Sequence, residues 1–141
     1  MNDALGTLIR LRQQSQDQAQ TALARAIQAV AVADRAAQAA EDAIRAEQDA
    51  AGALTADDGA VEAFARWLPA ARERAHAAAH RAERAQAEVS RQRALLTACR
   101  SALESVRELV DSRAAAETKL RQERDERAMA EHRPKRHQPK A

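Results

Sequence analysis

Aromatic side chains are almost missing from this chain: Phe64 and Trp67 are the only two in 141 residues, and there is no tyrosine. Large aliphatic residues are scarce as well. Hydrophobic residues make up 45% of the sequence, but 39 of them are alanine, which leaves 25 bigger apolar side chains. A layered globular core draws on Leu, Ile, Val and aromatic residues in greater number, so the composition argues against a globular enzyme. The single cysteine, Cys99, cannot staple the chain and fits a reducing compartment. Nowhere do 18 apolar residues run together, and Met1 to Arg12 has no apolar stretch of signal-peptide length. Both predict a cytoplasmic protein with no direct membrane insertion. Glycine and proline number three each, so little interrupts a composition dominated by helix formers.

What is present is a seven-residue repeat. Ile9, Gln16, Leu23, Val30, Ala37, Ile44 and Ala51 hold one set of positions, with Leu5, Arg12, Ala19, Ala26, Ala33, Ala40, Glu47 and Leu54 between them. These are the a and d positions of a coiled coil. A second frame sets Val61, Leu68, Ala75, Ala82, Val89, Leu96, Leu103 and Val110 at a, and Phe64, Ala71, Ala78, Ala85, Gln92, Cys99 and Val106 at d. Between the frames lies GALTADDGA, residues 52–60. It holds turn chemistry: Gly52 for a helix C-terminus, Thr55, Asp57 or Asp58 as caps, and Gly59 as a hinge. So short a connection makes the helices antiparallel neighbours. The expected fold is all-α, an antiparallel two-helix coiled-coil hairpin over residues 1–132, with helix 1 at about 3–51, the turn at 52–60 and helix 2 at about 61–132. Pro69 marks either the start of helix 2 or a break or mild kink within it.

If residues facing each other sum to 115, a meets d, and Leu54 faces Val61, Ala51 faces Phe64, Ala26 faces Val89 and Leu5 faces Val110. Large side chains then repeatedly meet small ones. The first helix runs out near Leu5, whereas beyond Val110 the second turns polar at its seam positions, Arg113, Glu117 and Arg124. Its last residues, about twenty, are therefore expected to overhang by roughly 30 Å beyond a paired rod of roughly 70 Å. Residues 133–141, RPKRHQPKA, have two prolines and no apolar period, and read as a disordered basic tail. Net charge runs −2 over residues 1–52, −2 over 53–69, +2 over 70–112 and +4 over 113–141, so the two halves are opposite in sign.

No Gly-rich phosphate loop, nucleophile elbow or cysteine cluster appears, which points to a protein that is no enzyme and needs no cofactor. His76 and His80 have the i, i+4 spacing of a metal pair, but they fall at b and f, facing solvent, without a third ligand, so no metal site is expected. Cys99 stands at d and is expected to pack in the seam. The basic C-terminal segment invites a nucleic-acid reading. Its five acidic residues and its lack of any stacking aromatic favour a solvated helix with pairs such as Glu117 with Arg121 and Glu123 with Arg127. The segment VEAFARWLPAARER, Val61 to Arg74, stands apart because it holds both aromatics beside the turn. Phe64, Leu68 and Ala71 share one face and Trp67, at g, borders it; a lone Trp at the tip of an alanine-covered rod suggests a contact surface.

In these features the chain resembles the central-stalk proteins of type III secretion, the FliJ/YscO family. The resemblance spans most of the chain: the length, the opening LGTLIRLRQQSQDQAQTALARAI from Leu5 to Ile27, the unbroken first helix, the short turn, FARWLPAARER, and a longer second helix with a charged end. The spacing of Phe64, Leu68 and Ala71 is similar to the family's export-gate contact; where the family has a histidine four residues further on, this chain has Ala75 with His76 adjacent. The tip and the alanine-rich seam lean toward the injectisome branch. The resemblance implies a non-catalytic stalk whose open end enters a hexameric secretion ATPase while its tip reaches the cytoplasmic domain of the export gate, with secretion chaperones as further partners and no nucleic acid. It would work at the cytoplasmic face of a membrane secretion apparatus. Phe64, Trp67, Leu68 and Ala71 would meet the gate. Arg113, Lys119, Arg121, Arg124 and Arg127, basic residues of the overhang, would meet acidic loops of the ATPase ring. The alternative is a stand-alone antiparallel coiled-coil scaffold or chaperone-like holdase.

Overall fold

The structure, a computed structural model, describes residues 2–133. It consists of two long helices, α1 (Asn2–Ala51) and α2 (Asp58–Glu131), and among the described residues there is no strand. They pack along one another as an antiparallel hairpin, with Leu5 beside Val110 at one end and Ala51 beside Phe64 at the other. Both pairs sum to 115, the register that the heptad frames require.

The connection closes without a left-handed residue. None of the described glycines has positive φ. Instead the backbone N–H of Gly52 donates to Gln48 at 3.0 Å, which finishes α1, and that of Ala56 donates to Ala53 at 3.0 Å within the turn. Asp57 starts α2: its backbone is extended and its carboxylate accepts from the backbone N–H of Ala60 at 2.8 Å. Of the three cap candidates Asp57 is thus the one used. The cap begins α2 at Asp58 rather than near residue 61, so Gly59 belongs to the first helical turn and is no hinge. Because α1 ends at Ala51, Leu54 falls in the turn, 107% exposed, while Val61 is 50% exposed, so their expected layer does not form.

No break occurs at Pro69, which lies inside an uninterrupted α2. Its missing N–H deprives the Ala65 carbonyl of a partner, but both residues are on the exposed side, where water can serve. At the far end α2 stops at Glu131; the backbone N–H of His132 donates to the Ala128 carbonyl at 3.2 Å. The basic tail expected at 133–141 lies, apart from Arg133, outside the described residues.

The seam follows the frames. From Ile9 to Ala51 every a position of α1 is half-buried; at d, Ala19 and Ala26 are buried. Arg12 and Glu47 stand at d but remain exposed, as long side chains with charged heads do. On α2 the buried residues are Ala71, Ala78, Ala82, Val89, Leu96, Leu103 and Val106. Alanine thus forms the seam toward the turn, and Val and Leu form it toward the open end. No polar side chain is buried among the described residues. Every ion pair among them lies within one helix, as Arg45 with Asp42 at 3.2 Å and Arg91 with Glu88 at 3.2 Å, so the opposite net charges of the two halves lock no interhelical contact. The expected pairs Glu117–Arg121 and Glu123–Arg127 are not among them, because fully hydrated side chains gain little from closing.

Candidate functional site

The rod has two distinct ends, and the residues singled out from the sequence divide between them. At the turn end, Phe64 and Leu68 are half-buried at the seam and Ala71 is buried within it. Trp67, at the g position that borders the seam face, is half-buried: its ring centroid lies 6.1 Å from that of Phe64 at a tilt of 37°. Both rings line a shallow concavity with Glu47, Ala50, Ala51, Ala60 and Ala63. The methyl side chains of Ala50 and Ala51 at the end of α1 leave this space open beside the two rings. A partner at this tip would reach the outer faces of Phe64 and Trp67 but not Ala71, whose role is packing.

At the open end, every residue from Asp111 to Arg133 is exposed. In the register of 115, Asn2 lies opposite Arg113, so α2 continues alone for about 18 residues, roughly 27 Å. Arg113 and Arg127 fall at d, Arg124 at a and Arg121 at e, which puts four of the five basic residues on the side that faces α1 further down. Lys119 falls at c, on another side, so the five form no single patch. Where α1 begins, an open groove is lined by Leu5, Gly6 and Ile9 from α1 and by Val110, Arg113, Ala116, Glu117 and Leu120 from α2. This groove went unnoticed in the sequence, although Leu120 at d in an otherwise polar overhang was its signal.

His76 and His80 are exposed, and His80 pairs with Glu83 at 3.8 Å. No group of three or more potential metal ligands occurs among the described residues. Cys99 is half-buried at the seam. Among the described residues no helix is long and apolar enough to cross a membrane. Fold and ends together define an antiparallel helical-hairpin rod that presents an aromatic tip and a lone charged helix. Compared with known proteins, the chain matches no family model, no curated protein and no solved structure.

Proposed function

We propose that this rod is the non-catalytic central stalk of a type III secretion ATPase complex, its open end held in the hexameric ATPase and its tip directed at the cytoplasmic domain of the export gate. The observation that carries the reading is the lone overhang. A helix of about 27 Å, exposed on all sides and bearing Arg113, Arg121, Arg124 and Arg127 toward one side, is the shape and charge that fits the acidic loops of a ring lumen. A stalk of this kind needs no chemistry of its own. It acts by favouring some ATPase subunit conformations over others, and so couples hydrolysis to the gate. The resemblance to the FliJ/YscO pattern supports the same reading, in which the complex would work at the cytoplasmic face of a secretion apparatus.

The test is co-purification with a secretion ATPase and its stimulation. The full chain is expected to bind and stimulate in a salt-sensitive manner, whereas deletion of residues 113–141 abolishes stimulation and leaves the hairpin helical. Undiminished stimulation by the deletion variant excludes the overhang as the coupling element. Failure of the full chain to bind leaves the free-standing scaffold.

A further inference from the structure

One flank of the rod lacks charge where the rest is covered with it. Outside the a and d seam, the half-buried helical residues are Leu8, Ala22, Trp67, Glu88 and Ala102, all at g, with Gly6 as the exception. The g flank is therefore the side on which the helices lean together. Toward the open end the g residues of the two helices are neighbours two residues off the register of 115, about 3 Å along the rod, and form three rungs: Leu8 beside Leu109, Ser15 beside Ala102, and Ala22 beside Leu95. Leu95 stays 51% exposed and Leu109 43%. The bordering c positions are Leu11, itself 54% exposed, Gln18, Ala98 and Ser105. At the chain's average of 31% charged residues, about three of these ten positions would be ionisable, and none is. The two hydroxyls are also prepared for burial: Ser15 donates to the Leu11 carbonyl at 3.0 Å and Ser105 to the Ser101 carbonyl at 2.9 Å, so an apolar cover leaves neither donor unpaired.

We infer that this flank binds a second copy of the chain, with the two rods running in opposite directions. The pattern is self-complementary about its middle rung. A two-fold axis through Ser15 and Ala102 sets Leu8 over Ala22 of the second copy and Leu95 over its Leu109, with small residues meeting at the centre. Rods in the same direction would instead stack the Leu8–Leu109 rung on itself, crowding one end and leaving the other thin. The antiparallel register also carries the overhang along the second copy's α2, where Glu123 faces its Arg81 and Lys119 comes beside its Glu88, so charges match beyond the apolar face. Three rungs over two helices cover roughly 30 by 15 Å, or about 900 Å² counted on both copies, the size of a weak, transient interface rather than a permanent one, so the dimer exchanges with the monomer. This association goes beyond the stalk reading and does not rest on it; because it lays the overhang along the second copy, a chain paired in this way is not the one whose open end enters the ATPase.

Sedimentation of the purified chain between about 1 and 300 μM tests the proposal, with the expected result a monomer–dimer equilibrium in that range. Leu95→Glu with Leu109→Glu is expected to weaken dimerisation at least about thirtyfold at unchanged helicity, since both side chains lie outside the seam. Leu120→Glu, on the overhang, should leave the dimer intact. In a Cys99→Ala background, Ala102→Cys should oxidise to a disulfide-linked dimer through the two-fold axis; this variant puts a small residue on a small rung and decides the matter if the double Glu variant loses helicity. A monomer throughout, dissociation by Leu120→Glu, or a dimer in which Ala102→Cys fails to cross-link would each overturn the proposal.

Discussion

At the scale of single residues, what decides the contribution of an apolar side chain here is whether its helix continues past it. Leu103 and Leu54 are chemically the same and both were read as seam positions. The first is 3% exposed in the middle of α2 and the second 107% exposed in the turn. Leu103→Ala is expected to destabilise the hairpin by about 2 kcal/mol, the lower end for buried leucine because a two-helix seam is shallow, while Leu54→Ala changes denaturant midpoints by nothing measurable. Equal effects would mean that the turn packs in solution. Trp67 stands between these cases. Stacked beside Phe64 but open outward, it is expected to cost Trp67→Ala little stability while weakening any gate contact roughly thirtyfold, measurable as gate binding set against helicity. If the substitution melts the rod, Trp67 is a packing residue and the tip assignment loses its anchor.

Among the elements, α2 departs further from ideal chemistry than α1. It carries Pro69 in its interior, at the cost of one backbone hydrogen bond, and it ends in a segment that touches nothing. Pro69→Ala restores an N–H able to reach the Ala65 carbonyl, and with no tertiary contact to lose it should raise stability by about 2 kcal/mol in denaturant unfolding. A lower midpoint would show that the fixed φ of the proline ring contributes more than the missing bond costs.

For the whole molecule, the arrangement that matters is the closing of one chain on itself. Ala37 and Ala78 sum to 115 and face each other across the alanine section of the seam. Cysteines at these two positions, in a Cys99→Ala background, are expected to form an intramolecular disulfide at high dilution without loss of helicity. Exclusively intermolecular products would mean that α1 and α2 pair between chains. The same section should be the least stable part of the rod, because a buried methyl contributes about 0.8 kcal/mol against about 1.5 to 3 for a buried Val or Leu, so the two ends are joined through a weak middle.

Much of this was legible in the sequence, because an α-helical pair repeats one local rule for 50 residues or more. The a and d periods fix which stripe of each helix is covered, the nine residues from Gly52 to Ala60 are too few for anything but an antiparallel return, and the polar seam beyond Val110 predicts an overhang. What only the tertiary structure decided lies where two helices meet or stop meeting. Whether Asp57 or a neighbour caps α2 depends on how the turn closes, and that choice moved Gly59 into the helix. Trp67 is placed by its heptad position on the border of the seam face; how far it is covered depends on the lean of the g flank, which leaves it half-buried. Heptad letters record the angle of a residue on its own helix; the separation and lean of the pair depend on the sizes of side chains from two distant segments at once, and that sum exists only after the hairpin has closed.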